Sequence, residues 1–149
     1  MDERENQRLV ERIYAAFGRG DMQMILDHLA DDVRWSHPGP GAVPWGGFRK
    51  GKDQVLEFFS RLSRNVEFLH FSPQEFVTRG SRVVVFGHER MRVIGTGREY
   101  EAEWAHAFTL RDGLIVSFQG FTDTARIEEA FAANGDNGRA ISSLQAAGT

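Results

Sequence analysis

The chain has 149 residues, with 18 Lys and Arg against 21 Asp and Glu and no Cys. That length suits one domain burying roughly 70% of its surface, and without Cys there is no disulfide scaffold, thiol nucleophile or thiolate metal site. The net charge of −3 disfavours nucleic acid as a partner; no apolar run nears a membrane span, and the charged start Met1-Asp-Glu-Arg-Glu5 is unlike a signal peptide, so a cytoplasmic protein with no membrane partner is expected.

Leu9, Ile13, Ala16 and Phe17 fall on one helical face, and Gly20 suits the end of that helix. Asp21 caps a second helix whose stripe is Met22, Ile25, Leu26 and Leu29. Val33 to His37 alternates as a short strand. Residues 38–47 carry three Pro and four Gly, a density that only a loop tolerates. A third helix follows Gly51, with Val55, Phe58, Phe59 and Leu62 inward. Four long strands come next: Val66–Thr78 with a break near Pro73, Val83–Ile94, Glu99–Leu110 and Leu114–Thr122. Their short turns predict an antiparallel meander. Thr124–Ala132 reads as a short helix, and 134–149 as a Gly-, Ala- and Ser-rich tail, flexible or draped on a partner, outside a domain of residues 1–133. The order predicts an α+β fold, a curved antiparallel sheet with helices on one face.

The segments Val10-Glu-Arg-Ile-Tyr-Ala-Ala-Phe-Gly-Arg-Gly-Asp21, Leu29-Ala-Asp-Asp-Val33, Gly51-Lys-Asp-Gln-Val-Leu-Glu-Phe-Phe59, Asp112-Gly-Leu-Ile115 and Gly120-Phe-Thr-Asp-Thr124 resemble, in order and spacing, the SnoaL-like branch of the nuclear-transport-factor-2-like superfamily. That superfamily includes ketosteroid isomerase, limonene epoxide hydrolase, scytalone dehydratase and polyketide cyclases. The resemblance covers about residues 5–133. It implies a cone-shaped barrel closed by three N-terminal helices, a deep apolar pocket and a homodimer through the outer sheet face. It implies little about chemistry, because one fold hosts many reactions.

Three residues are candidates for catalysis. His37, in Ala30-Asp-Asp-Val-Arg-Trp-Ser-His-Pro38, stands where the similar isomerase stretch has its general base, an Asp before Pro. It either abstracts a proton or simply ends the strand and hydrogen-bonds the Pro/Gly loop. His106 shares a strand face with Trp104 and Phe108, near the isomerase's oxyanion-stabilising acid; its alternative is a satisfied core histidine. Asp123 matches the end of the last strand, where the family's epoxide hydrolases carry an Asp. In an apolar pocket it would act as acid or base; on the surface it would cap the last helix.

Trp35, Trp45 and Trp104 are candidate pocket walls, with Phe59 and Phe118 beside them. Trp45, in the Pro/Gly loop, suits a lid. The isomerase's oxyanion Tyr column holds Ile13 here, with Tyr14 one step and about 100° further round the helix. Arg90 resembles the Arg of the epoxide hydrolases, but Arg92 replaces their Asp, which disfavours epoxide hydrolysis. Glu99, Glu101 and Glu103 read as a solvated strand face paired with Arg90 and Arg92. No metal-ligand spacing of His is present, and only Lys50 and Lys52 could form a Schiff base. The expectation is therefore cofactor-free acid/base chemistry on a small apolar carbonyl compound: isomerisation, cyclisation, dehydration or hydrolysis. The alternative is a non-catalytic binding or sensing domain.

Overall fold

In the computed structural model, which describes residues 2–39 and 43–132, Asp2 opens the first helix, α1 (Glu3–Gly18), through a capping box with Glu5. Leu9, Val10, Ile13 and Ala16 form its buried stripe. The last helical residue is Gly18, and Gly20, at φ +74°, takes the left-handed cap position expected of it, its N–H donating to the Phe17 carbonyl and that of Asp21 to the Ala16 carbonyl. Asp21 then caps α2 (Met22–Asp27), its carboxylate accepting the Met24 N–H at 3.1 Å. Leu29 continues the helical spacing of α2 but already belongs to β1 (Leu29–His37), where it pairs with Ile115. Tertiary pairing here overrides a local periodicity that helix and strand share at a single position.

The Pro/Gly segment returns into a strand that its composition conceals. Phe48 to Lys50 follow it, and β2 (Gly47–Lys50) pairs antiparallel with Arg34–His37. Gly51, at φ +88°, turns the chain into α3 (Lys52–Asn65). Four long strands follow: β3 (Val66–Arg79), β4 (Arg82–Val93), β5 (Glu99–Arg111) and β6 (Leu114–Thr122). The chain then forms α4 (Thr124–Ala132). The expected domain end at 133 and the tail 134–149 lie outside the described residues, as do residues 40–42 of the Pro/Gly segment.

The sheet order is β2-β1-β6-β5-β4-β3. The meander from β3 to β6 is antiparallel, whereas β1 joins β6 in parallel. The fold is thus α+β, with a curved six-stranded sheet. The sheet remains open, with β2 and β3 as its edges, so it is not the closed barrel that the resemblance implied. Helices α1, α2 and α3 all precede the meander, with β1 and β2 between the second and the third. The β3–β4 register slips between Pro73 and Glu75, where Pro73 has no N–H for the ladder. Opposite it, β4 runs on through Gly87, which leaves room for the Trp104 ring; a Cβ there would collide with that ring.

The inward row of β4 is Val83, Val85, Gly87, Glu89, Met91 and Val93; Glu89 is the only one of these that is not fully buried and the only charged one. Helices α1 and α3 pack over the concave face. At the end of the sheet, the ring of Phe131 in α4 meets Trp45 at 5.7 Å between centroids. No helix among the described residues is long and apolar enough to cross a membrane.

Candidate functional site

Between the helices and the sheet lies a cavity of about 80 Å³, room for several waters or a small ring compound. Ile13, Tyr14 and Phe17 of α1 form one wall, with Phe58, Phe59 and Leu62 of α3 beside them. Trp35 and His37 of β1, Trp45, and Phe118 of β6 form another. The sheet side contributes Glu89, Met91, Tyr100, His106 and Phe108. The lining is overwhelmingly aromatic and aliphatic, so each polar group in it stands out.

The central polar contact joins α1 to β5. The Tyr14 hydroxyl lies 2.6 Å from Nδ1 of His106. The two rings stack nearly parallel at 5.9 Å, and Trp104 stacks behind His106 at 4.1 Å. Burial lowers the His106 pKa well below its usual value, and the nearby His37 adds to that. Burial raises the Tyr14 pKa well above its ordinary one. Both groups are therefore neutral at pH 7, and one shared proton lies between them. Ile13 and Tyr14 both reach the cavity, so the one-step offset on the helix does not take the hydroxyl away from it.

His37, at the end of β1, orients its ring through Nδ1, which donates to the Pro38 carbonyl oxygen at 3.2 Å. This leaves Nε2 as an unprotonated acceptor. Burial lowers the His37 pKa to about 4, against the Pro38 hydrogen bond, with the Arg49 guanidinium also lowering it. The ring lies directly on Gly120: a Cβ there would come within 2.8 Å of His37 Cδ2. Gly120 in turn pairs with His106, so the two histidines reach one cavity from the strands on either side of β6. Arg49 is itself buried. It donates to the Trp45 carbonyl at 2.8 Å and lies over the Phe58 ring, tying the Pro/Gly segment to α3.

Trp35, Trp45, Phe59 and Phe118 line the cavity, and Trp104 stands behind it, stacked on His106 and Phe71. Asp123 does not line it. It is half-exposed at the start of α4, where it accepts from the Arg126 backbone N–H at 3.4 Å and pairs with the Arg126 side chain at 3.2 Å. The capping alternative describes its position, just before the first turn of α4. Arg90 is likewise outside. It projects from the outer face of β4 and pairs with Glu99 at 3.0 Å.

The residue that sequence reasoning passed over is the neighbour of Arg90. Glu89 lines the cavity, and burial raises its pKa to about 7. Counting by two from Val83 and Val85 puts Glu89 inward and Arg90 outward, a signal already present in the strand pattern. Tyr100, two residues before Ala102 on β5, also reaches this end of the cavity, and its hydroxyl is buried without a partner among the described residues. Among the described residues no group of three His, Cys, Asp or Glu is placed to hold a metal ion.

Comparison with known proteins gives the lineage. Residues 10–118 match the family model of the SnoaL-like domain. None of the curated proteins matches the chain. Among solved structures, an NTF2-like protein from Burkholderia xenovorans is 34% identical with a TM-score of 0.81, the match covering 88% of this chain and 98% of that one. An NTF2-like protein of unknown function from Burkholderia pseudomallei is 33% identical with a TM-score of 0.78, over 87% and 98% of the two chains. TerC, co-crystallised with polyporic acid, is 29% identical with a TM-score of 0.78, over 87% and 99%. The chain belongs to the SnoaL-like domain family of the NTF2-like superfamily.

Proposed function

We propose that the cavity binds a small, mostly apolar carbonyl compound and moves a proton on it with side chains alone, as isomerisation or aldol-type cyclisation requires. The observation that carries this reading is the 2.6 Å hydrogen bond between Tyr14 and His106 inside an aromatic enclosure that His37 also lines. In such a setting the Tyr14–His106 pair is a preorganised donor for an oxygen that gains negative charge, where water does not compete. The Nε2 atom of His37, its other nitrogen held by Pro38, accepts the proton from the carbon next to that carbonyl. Asp123 has no part in this scheme, since its carboxylate is taken up by Arg126.

A second reading, ligand binding without turnover, is favoured by one observation. With its pKa near 4, His37 is a weak base at neutral pH. The likeness to TerC, a protein crystallised with polyporic acid, supports a ligand in the cavity under either reading. The reading also includes a homodimer through the outer sheet face, where exposed Phe86 and Phe121 flank Ala105.

Hydrogen–deuterium exchange on 2-tetralone separates catalysis from binding. Followed by NMR, exchange next to the carbonyl is expected to exceed the buffer rate in the wild type and to fall by ~10²-fold in Tyr14→Phe and in His37→Asn. Binding of 2-tetralone with exchange at the buffer rate establishes the second reading instead.

A further inference from the structure

The cavity has a second polar end that this chemistry leaves unused. Glu89 lines the cavity and makes no hydrogen bond or ion pair among the described residues, whereas its neighbours on the outer face, Arg90 and Arg92, are both ion-paired. The Tyr100 hydroxyl is buried and has no partner among the described residues. In the β4–β5 register Glu89 faces Ala102 and Met91 faces Tyr100, so the carboxyl and the phenol are diagonal neighbours on one inward face. Buried polar groups without partners forfeit their hydration, and sites built this way select ligands that restore the missing hydrogen bonds.

Register also measures how far this end lies from the first. Val85 faces His106, and Glu89 is four residues further along β4. At the usual strand rise that is a backbone separation of about 13 Å. At the level between them the Trp104 ring, seated on Gly87, packs behind the cavity wall. The cavity is polar at two ends, and the rest of its lining is largely aromatic and aliphatic.

We propose that Glu89 and Tyr100 form a subsite for a hydroxyl at the far end of the ligand, the carboxyl accepting its hydrogen and the phenol donating to its oxygen. The substrate class then narrows to flat, apolar ring systems bearing an oxygen at each end. This inference rests on the cavity being the ligand site.

Titration calorimetry of the full chain with 2-naphthol and with naphthalene-2,6-diol tests it. Wild type is expected to bind the diol about 10-fold more tightly than the mono-ol, the worth of one good buried hydrogen bond. That advantage falls to within about twofold in Glu89→Leu and shrinks in Tyr100→Phe, which removes only an unpartnered hydroxyl and should fold as wild type does. Equal affinities in the wild type, or an advantage that survives both substitutions, overturns the subsite while leaving the cavity reading intact. If neither compound binds, the cavity reading fails and the subsite fails with it.

Discussion

The two faces of strands β4 and β5 handle ionisable groups in opposite ways. On the outer face Arg90 pairs with Glu99 at 3.0 Å, Arg92 bridges Glu67 at 2.8 Å and Glu99 at 3.1 Å, and His88 meets Glu101 at 3.1 Å. Arg90 and then Arg92 hold the Glu99 carboxylate below its ordinary pKa. On the inner face Glu89 and His106 have no countercharge among the described residues, and burial moves both toward their neutral forms. Outside, charge is kept and matched by opposite charge. Inside, charge is shed by changing proton occupancy. The inner groups can therefore donate and accept hydrogen bonds near neutral pH, which suits a site, whereas the outer ones suit a solvated surface.

The largest effect that would break this contrast lies at Glu89. Its folded pKa of about 7 exceeds the ordinary 4.5, so between those values the folded chain holds a proton that the unfolded chain has released. Stability falls as pH rises through that window, and above it the buried carboxylate costs up to about 3 kcal/mol. Glu89→Gln, which keeps the shape without titrating, is expected to gain up to about 3 kcal/mol above pH 7 and little near pH 4.5 in urea unfolding. A gain that is the same at every pH would show that Glu89 is not held neutral.

His37 works in the opposite sense. Its folded pKa of about 4 lies below the ordinary 6.5, so its contribution is present above 6.5 and lost as pH falls toward 4. His106, lowered as well, adds to that acid limb. The two trends oppose each other between pH 4.5 and 6.5 and flatten the wild-type profile. In Glu89→Gln the same interval should become a steady rise with pH.

The sequence made the fold legible where periodicity and turn residues agree. The strands β3 to β6 sit between Arg79-Gly-Ser-Arg82, Gly95-Thr-Gly97 and Asp112-Gly113, and their limits match the expectation within a residue or so. It concealed β2, because a four-residue edge strand beside three Pro and four Gly carries no pattern of its own. The parallel β1–β6 pairing was equally hidden, being a long-range choice. At the site, His37, His106 and the aromatic lining came from strand faces and resemblance. Asp123 misled because a helix cap and a pocket acid share the same residue type. Arg90 misled because its role was carried over by resemblance, when alternation along β4 turns it outward. The seat of His37 on Gly120 is a contact between two strands, and neither strand's own pattern encodes it.

That seat supplies the next test. Gly120→Ala introduces a Cβ 2.8 Å from His37 Cδ2, with no obstacle from the backbone conformation. The ring has to yield, at about 1–2 kcal/mol of stability by the usual cost of overpacking. If His37 is the proton acceptor, its displacement should also lower exchange on 2-tetralone by ~10-fold or more, since small misplacements are costly in catalysis. A variant that loses stability but exchanges like wild type would remove His37 from the chemistry while leaving its packing role.

The smallest expected effect is on the outer face, at its best-connected residue. Arg92 makes two of the ion pairs, so it is where pairing has the best chance of mattering. Arg92→Gln keeps most of the side-chain stem and its cover over the strand, and Glu99 retains Arg90 as a partner. Exposed pairs gain little over hydration by water, and salt screens what remains. Thermal scans of Arg92→Gln should therefore overlay the wild type within replicate scatter, at low and at high salt alike. A clear loss at low salt that disappears at high salt would mean that the outer network holds the β3–β4–β5 register. Ion pairing would then contribute to the fold on the same scale as proton balance does within the cavity.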